Sequence, residues 1–252
     1  MQKAIEKILP KLHKVLNTYS RKSNEKSPYQ LVTEIDIKIE QLLIEHLAKL
    51  LPEAGFITEE GQTQQGKMDG LTWIIDPIDG TSNMVFGIPF FCLSIGLVEA
   101  GKTILGFVHE FNHSDTFFAH FRGAQLNGEN ISVRKNTKIN NVLAATGFPH
   151  GEVNNLDVYL EVLEHTIKET HSIRRLGTAA MDLCYTACGR FDGYFEMNLK
   201  PWDICGGAYI VEQAGGIVSD FKGEKNHLNT GNIIAGNPLV HRFWLNKLKD
   251  KF

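Results

Sequence analysis

The stretch Trp73-Ile74-Ile75-Asp76-Pro77-Ile78-Asp79-Gly80-Thr81 joins an apolar run to two acids and a Gly-Thr turn. The apolar run predicts a buried strand that ends at Asp76, with Asp79 three residues further on. Two carboxylates this close repel each other unless protons or cations neutralise them. Mg²⁺ suits such oxygen ligands and also takes phosphate oxygens from a substrate. Gly80 permits close backbone approach, and Thr81 begins a predicted helix whose free N–H groups favour an anion. By itself, the stretch predicts either a metal-bridged phosphate site or a turn with two solvated acids.

The composition is that of an ordinary soluble globular protein. The chain has 252 residues, 42% of them apolar and 22% charged, which allows one large domain or two small ones. The net charge of −3, with both signs spread along the chain, predicts no direct nucleic-acid binding. The apolar stretch 88–98 is too short to span a bilayer, so no membrane contact is expected. The four cysteines form no C-x-x-C pair, and no signal peptide is recognisable, so we expect a cytoplasmic protein with free thiols.

The order of the predicted elements divides the chain into two halves. The first half reads as α+β, with helices followed by a run of strands and one hairpin. Thr33 to Asp36 looks like a capping box that opens its longest helix. In the second half strands alternate with helices, which is typical of an α/β domain with a partly parallel sheet. The polar segment 136–141 places the boundary between an N-terminal domain, 1–138, and a C-terminal domain, 139–252.

Two further acidic points lie far from the first in sequence. Glu59-Glu60 follows a predicted strand, and Asp203 comes directly after Trp202 where a helix opens. Each has an ordinary explanation, the first as a solvated loop pair and the second as a helix N-terminal acid. The order of residues along the chain cannot by itself bring these points together.

Taken in order, these motifs resemble the inositol monophosphatase family. The segments that carry the likeness are Glu59-Glu60, Asp76 to Thr81, Trp202-Asp203 and Glu212-Gln213-Ala214-Gly215-Gly216. The likeness covers nearly the whole chain and is greatest to bacterial members. It implies a layered αβαβα sandwich of the sugar-phosphatase type and a magnesium-dependent, lithium-sensitive phosphomonoesterase. It also implies a homodimer and a small phosphorylated polyol as substrate.

The resemblance assigns roles to individual residues. One Mg²⁺ would be held by Glu59, Asp76 and the carbonyl oxygen of Ile78. A second would be held by Asp76, Asp79 and Asp203, and a third, weaker ion would lie near Glu59, so that two to three ions are expected. The catalytic residues would be Glu59, Asp76 and Thr81, with Glu59 and the Thr81 hydroxyl orienting a water nucleophile. The backbone N–H groups of Gly80 and Thr81 would bind the phosphate. The remaining contacts to substrate would come from Asp79, Gly177, Ala179, Glu196 and Asp203.

Several positions depart from the family pattern. Gln30 replaces an Asp, and Thr58 replaces the Gly that usually precedes the two Glu. The other departures are Met84, Phe86 and Cys205-Gly206. None of them removes a proposed metal ligand, so we expect changes in rate or selectivity and not in reaction type.

Other functions fit parts of the same pattern. Relatives of this family act on fructose 1,6-bisphosphate, 3′-phosphoadenosine nucleotides, NADP or histidinol phosphate, although Glu196 favours a neutral polyol because it would repel a second phosphate. Some bacterial members also bind transcription factors during ribosomal RNA synthesis, so an interaction role on the same fold stays open.

The segment His109-Glu110-Phe111-Asn112-His113 matches the H-E-x-x-H signature of zinc proteases. That motif requires a helix, whereas the flanking residues predict a strand and a turn. On a strand the two His would lie roughly 13 Å apart.

Overall fold

The predicted strand from Trp73 lies in the middle of a layered α/β structure. The computed structural model describes residues 1–17, 24–27, 30–32, 34–61, 66–149 and 154–251. Its first half consists of α1 (Gln2–Glu6), α2 (Leu9–Leu16), β1 (Asn24–Ser27), β2 (Gln30–Val32), α3 (Glu34–Leu50), β3 (Gly55–Thr58), β4 (Thr72–Asp79), α4 (Thr81–Phe86), β5 (Cys92–Glu99), β6 (Lys102–Glu110), β7 (Thr116–His120), β8 (Gly123–Leu126) and β9 (Glu129–Asn130).

The second half follows a short 3-10 turn at Ile139–Asn141. It consists of β10 (Leu143–Thr146), α5 (Leu156–Glu169), β11 (Ser172–Arg174), α6 (Ala179–Ala187), β12 (Gly193–Glu196), α7 (Pro201–Gln213), β13 (Ile217–Ser219), α8 (His227–Thr230), β14 (Ile233–Gly236) and α9 (Pro238–Leu248).

Each half contributes one large sheet. The first is seven-stranded with the order β3-β4-β5-β6-β7-β8-β9, and only β3 and β4 pair in parallel in it. The second is five-stranded with the order β11-β10-β12-β14-β13. In that sheet β10 pairs in parallel with both β11 and β12, whereas β14 runs antiparallel to β12 and β13. The expectation of a partly parallel second sheet is therefore confirmed.

Three helical layers enclose and separate the two sheets. Apolar residues of α1, α2 and α3, such as Leu12 and Leu43, pack with Trp73 and Ile95 on one face of the first sheet. Helices α6 and α7 lie on its other face and share a core with the second sheet. Helices α5 and α9 cover the far face of the second sheet, where Tyr159 and Trp244 are fully buried. The order is thus α, β, α, β, α, which confirms the expected sandwich.

The contact between α7 and the first sheet explains one departure from the family pattern. A Cβ atom on Gly96 of β5 would lie 2.3 Å from the sulfur of Cys205, and one on Gly206 would lie 2.7 Å from the carbonyl oxygen of Ile95. Cys205-Gly206 therefore belongs to a close helix–sheet contact, directly behind Asp203. All four cysteines are free thiols.

The structure differs from the sequence prediction at a few elements. The strand predicted to end at Asp76 continues to Asp79 as β4. The polar composition of residues 21–28 predicts a loop, whereas 24–27 pairs with β2. Gln125 to Gly128 is typical of a tight turn, and Asn127 and Gly128 do have positive φ, but the turn joins the short strands β8 and β9. Thr33, the first residue of the predicted capping box, lies outside the described residues.

Among the described helices, none has both the length and the apolar character needed to cross a bilayer.

The division into domains 1–138 and 139–252 stays a prediction. In sequence, the strands of the first large sheet come before residue 138 and those of the second come after it.

Candidate active site

The parallel pairing of β3 and β4 brings the first two acidic points together. Thr58 is opposite Ile75 in the register, so the next residues, Glu59 and Asp76, leave the same edge of the sheet. The backbone N–H of Glu59 donates to the carbonyl of Ile75 at 3.2 Å, and the Glu59 and Asp76 carboxyl groups lie close enough for the charge of Glu59 to raise the pKa of Asp76. The contact that sequence order left open is thus made by strand register.

A β-bulge then separates Asp76 from Asp79. Asp76 pairs with Ser94 and Asp79 with Cys92, so three steps along β4 face two steps along β5. Such a bulge changes the direction in which the following side chain points. Pro77 lies within it, where its missing N–H costs no ladder hydrogen bond. The Asp76 carboxylate accepts a hydrogen bond from the backbone N–H of Ile78 at 3.0 Å, so the side chain folds back toward the motif.

Gly80 turns the chain from the strand into α4. Its φ is +95°, and a Cβ atom there would lie 3.3 Å from the carbonyl oxygen of Phe90. Thr81 is the first residue of α4, and the first turn of a helix has N–H groups without intrahelical partners. The Thr81 hydroxyl donates to the carbonyl oxygen of Ile78 at 2.8 Å. That oxygen, an expected metal ligand, keeps its second lone pair for another partner.

Two helix starts from the second half of the chain reach this region. Asp79 accepts a hydrogen bond of 2.7 Å from the backbone N–H of Ala180, in the first turn of α6. Asp203 lies in the first turn of α7, and its carboxylate accepts from the backbone N–H of Lys200 at 2.7 Å. The ordinary helix-start role of Asp203 is therefore real, and the same carboxylate also faces the acids of the first sheet.

The mutual effects of these acids on their pKa values show their proximity. Burial and then the charge of Asp203 raise the pKa of Asp79 to about 8. Burial raises the pKa of Asp76, and the charges of Glu59, Asp79 and Asp203 add to the increase. Burial also raises the pKa of Asp203 to about 6, although the Lys200 N–H and charge oppose the change.

Glu59 lies on the open side of this cluster. Burial of its carboxyl group, with Asp203 nearby, raises its pKa to about 8. The side chain as a whole is exposed, however, so contact with water moderates this shift.

Four acidic side chains lie in this cluster, and Lys200 is the cation that acts on Asp203. This excess of negative charge suits a divalent ion. Buried carboxylates that repel each other are stabilised by bound cations, and their oxygens are the ligands that Mg²⁺ prefers. Within the described ranges, no three acidic, His or Cys side chains already stand at metal-ligand spacing. Asp76, Asp79 and Asp203 are each hydrogen-bonded to a backbone N–H instead. The residue types and their convergence fit the ion.

The residues expected to contact substrate lie beside α6. Gly177 has a φ of +89°, and a Cβ atom there would lie 2.6 Å from an Arg175 guanidinium nitrogen and 3.0 Å from the Asn83 amide oxygen. Ala179 is the first residue of α6 and is 7% exposed. Glu196 ends β12, and the Tyr194 hydroxyl donates to its carboxylate. Burial raises the pKa of Glu196 to about 7, although Tyr194 and Arg175 oppose the change.

Comparison with known proteins identifies the group to which this architecture belongs. A model of the inositol monophosphatase family matches residues 1–251. The chain belongs to the inositol monophosphatase family. The Nus factor SuhB of Escherichia coli K12 is 37% identical over 230 residues, which cover 91% of this chain and 86% of the relative.

Solved structures of the family share the fold over almost the entire chain. The extragenic suppressor protein SuhB from Bartonella henselae has a TM-score of 0.87 and 34% identity, over 98% of this chain and 95% of the other. An IMPase from Thermotoga maritima has a TM-score of 0.84 and 34% identity, over 97% of this chain and 94% of the other.

Glu40 is a residue of this family member that the sequence analysis missed. It is fully buried on α3, and its carboxylate accepts from the Thr58 hydroxyl and from the backbone N–H of Glu60, both at 2.8 Å. It therefore anchors the turn that carries Glu59, and Thr58 serves as one of its donors. An available signal was the pair Asp36 and Glu40, spaced four residues apart beside the apolar stripe of α3.

The other departures have different surroundings. Met84 is buried among the apolar residues of the first half, whereas Phe86 is 75% exposed. The side chain of Gln30 lies outside the described residues.

The zinc-protease motif is divided between a strand and a turn, as expected. His109 lies on β6 and hydrogen-bonds to the Thr116 hydroxyl at 2.8 Å and to the His13 ring at 3.1 Å. His113 lies in the following turn and contacts the Glu110 carboxylate at 3.0 Å. The two rings therefore do not share a helical face.

Proposed function

We propose that this protein is a Mg²⁺-dependent phosphomonoesterase of myo-inositol monophosphates or related small polyol phosphates. The observation that carries the proposal is the convergence of Glu59, Asp76, Asp79 and Asp203 beside the first turn of α4. Family membership and the similarity to an IMPase from Thermotoga maritima support the same activity.

Two to three Mg²⁺ ions would be held by this cluster. Glu59, Asp76 and the Ile78 carbonyl would hold one, and Asp76, Asp79 and Asp203 would hold another, with a third near Glu59. When bound, Mg²⁺ lowers the pKa of a coordinated water and neutralises charge on the phosphoryl oxygens.

The protein's own groups position the reactants. The N–H groups of Gly80 and Thr81, at the start of α4, would donate to the phosphate oxygens. Glu59, on the open side of the cluster, and the Thr81 hydroxyl would orient the attacking water. The hydroxyl can do so because it keeps acceptor capacity while it donates to the Ile78 carbonyl. No covalent bond between protein and phosphate is required.

The residues on the substrate side favour a neutral polyol over a bisphosphate. Gly177, Ala179, Glu196, Asp79 and Asp203 would contact the alcohol portion. Glu196 accepts hydrogen bonds from hydroxyl groups and repels a second phosphate. A panel that includes inositol 1-phosphate, fructose 1,6-bisphosphate, 3′-phosphoadenosine nucleotides, NADP and histidinol phosphate tests this preference. A tenfold preference for a bisphosphate would overturn it.

The decisive experiment compares two acids that both lie in the first turn of a helix. Phosphate release from inositol 1-phosphate is measured with Mg²⁺, with and without Li⁺, for the parent, Asp203→Asn and Asp157→Asn. Asp157 is exposed in the first turn of α5 and serves as the control. We expect Asp203→Asn to lose activity, Asp157→Asn to retain it, and Li⁺ to inhibit the parent. Equal activity of the parent and Asp203→Asn would refute the site assignment.

A role in transcription is the second candidate, because the Escherichia coli relative is named a Nus factor. The enzyme fold and a cytoplasmic homodimer would both allow such a role. The role would not require direct nucleic-acid binding. Pull-down from native extract with the parent and with Asp76→Asn separates the two functions. Capture of transcription proteins by both forms, without phosphatase activity in the parent, would favour the interaction role.

A further inference from the structure

Asp182 is a buried acid that the proposed reaction does not yet use. It lies in the first turn of α6 and is 1% exposed. Its Oδ1 atom is buried and has no hydrogen-bond partner among the described residues. A buried polar atom without a partner has lost its hydrogen bond to water without compensation, so its presence requires an explanation.

The position of Asp182 on α6 directs it toward the proposed substrate. Asp182 follows Ala179 by three residues, so both lie on the same face of the helix. Side chains on a helix lean toward its N-terminus, and the N-terminus of α6 donates to Asp79 through Ala180. The carboxyl group of Asp182 therefore points to the end of the helix that meets the proposed metal site.

The charges that act on Asp182 come from both the metal site and the proposed alcohol-binding side. Burial raises the pKa of Asp182, the charges of Glu196 and Asp79 add to the increase, and Arg175 opposes it. The Arg175 guanidinium lies 6.0 Å from the centre of the Phe148 ring, and one of its nitrogens would lie 2.6 Å from a Cβ atom on Gly177, two residues before α6. Within the described residues, neither Arg175 nor Glu196 is hydrogen-bonded to the Asp182 Oδ1 atom.

The position of the Glu196 side chain is fixed by its neighbours. A Cβ atom on Gly147 would lie 2.0 Å from a Glu196 carboxylate oxygen, so the Glu196 side chain occupies space that only glycine leaves open. The Tyr159 hydroxyl donates to the Gly147 carbonyl at 2.8 Å, and the Tyr194 hydroxyl donates to Glu196. The Tyr194 bond orients the Glu196 carboxylate, and the Tyr159 bond holds the backbone at Gly147 beside it, whereas the Asp182 Oδ1 atom is left for another partner.

We propose that Asp182 is a specificity-determining residue that, together with Glu196, binds hydroxyl groups of the polyol portion of the substrate. This inference rests on the proposed phosphatase function and adds a second carboxyl group to its alcohol-binding side. Two acids that face one region can each accept a hydrogen bond from a hydroxyl group of the same polyol. An ester without hydroxyl groups gains nothing from them, so Asp182 separates polyol phosphates from simple phosphate esters.

The test compares two substrates that share only the phosphate. Asp182→Asn keeps the size of the side chain but replaces one acceptor oxygen by a donor NH₂ group. With Mg²⁺, we expect kcat/KM for myo-inositol 1-phosphate to fall at least about tenfold, mainly through a higher KM. For p-nitrophenyl phosphate, which has no hydroxyl group, we expect a change below about twofold. Asp157→Asn, the exposed first-turn acid of α5, is the matched control and should leave both values unchanged.

The same pair of substrates identifies a merely structural role. Equal losses on the two esters, or no loss on the inositol phosphate, would overturn the proposal. If the parent releases no phosphate from either ester, the proposed function fails, and the role of Asp182 is then decided by binding. Calorimetric titration of myo-inositol 1-phosphate in Ca²⁺ should show at least tenfold weaker binding to Asp182→Asn. Equal affinities, or no binding to the parent, would overturn the role of Asp182.

Discussion

Asp76 of the proposed metal site and Asp192, which holds a loop of the fold, are both buried but differ in their hydrogen-bond donors. Asp192 is fully buried, and it accepts from the Leu143 N–H at 2.9 Å and from the Asn237 amide at 3.3 Å, with Arg134 at 3.7 Å. Each of its carboxylate oxygens thus has a donor. Within the described part of the chain, Asp76 accepts a hydrogen bond from one backbone N–H, that of Ile78, and three other acids act on it. Burial alone therefore does not mark a functional acid, whereas burial with too few donors among other acids does.

The largest expected effect follows from removing the shared acid of the site. Asp76→Asn deletes the carboxylate that would contact both main Mg²⁺ ions, so we expect phosphate release to fall by about a thousandfold or more. Without metal, the same change removes repulsion, so the melting temperature in EDTA should not fall. Phosphate release within tenfold of the parent would contradict the role of Asp76.

Replacement of the structural acid Asp192 should instead lower stability and leave catalysis nearly unchanged. Asp192→Asn leaves the Leu143 N–H or the Asn237 amide without a proper acceptor, and we expect a loss of about 2 kcal/mol in the free energy of unfolding. Urea unfolding measures this loss. Because Asp192 lies outside the metal cluster, kcat of the folded variant should stay within about threefold of the parent. A large loss of kcat with unchanged stability would erase the distinction between the two sets of acids.

The raised pKa values predict a pH dependence that only the metal-site acids produce. Burial and the charge of Asp203 raise the pKa of Asp79 to about 8 in the folded protein, against about 4 in an unfolded chain, and the pKa of the more exposed Glu59 is raised in the same direction. The metal-free native state therefore binds more protons than the unfolded state between these values, and its stability falls as pH rises from about 4 to about 8. Melting in EDTA should drop by roughly 5 °C between pH 5 and pH 8.

Mg²⁺ should reverse this dependence, because it binds the ionised carboxylates and displaces protons. The increase in melting temperature caused by Mg²⁺ should be larger at pH 8 than at pH 5, and Asp79→Asn should flatten the metal-free slope. An equal increase in melting temperature by Mg²⁺ at both pH values would count against a cluster of acids that are protonated without metal.

The smallest effect is expected at Glu40, which shares features with both the structural acids and the metal-site acids. It is a well-bonded structural acid, but the turn that it anchors carries Glu59. Glu40→Gln replaces one of its two acceptors, so we expect a loss of about 1 kcal/mol in stability and a KM for Mg²⁺ about threefold higher. Thr58→Val, which removes only the hydroxyl donor, is the milder companion. An unchanged Mg²⁺ dependence in both variants would show that the turn does not need this support.

Much of the fold was predictable because local rules and tertiary packing agree. The sequence over 238–248 predicts a closing helix, and α9 matches it, since Pro238 lies at the helix start and Asn237 caps it with two hydrogen bonds. The strands β8 and β9 were missed because they are short and flank a turn whose Asn127-Gly128 signal dominates. The end of β4 was placed too early, because Pro77 usually argues against a continuing strand and only a bulge accommodates it.

The sequence by itself determined the types of acid, their order along the chain and the Gly-Thr turn that follows Asp79. These are local properties, set by residue identity and by the few residues on either side. Only the tertiary structure decided that Glu59 meets Asp76 through the β3–β4 register, and that the starts of α6 and α7 bring Ala180 and Asp203 to the same cluster. It also revealed that Glu40 supports the turn and that the Asp182 Oδ1 atom has no hydrogen-bond partner among the described residues. The physical reason is that electrostatic repulsion and hydrogen-bond satisfaction depend on distances in space, which residue order does not specify.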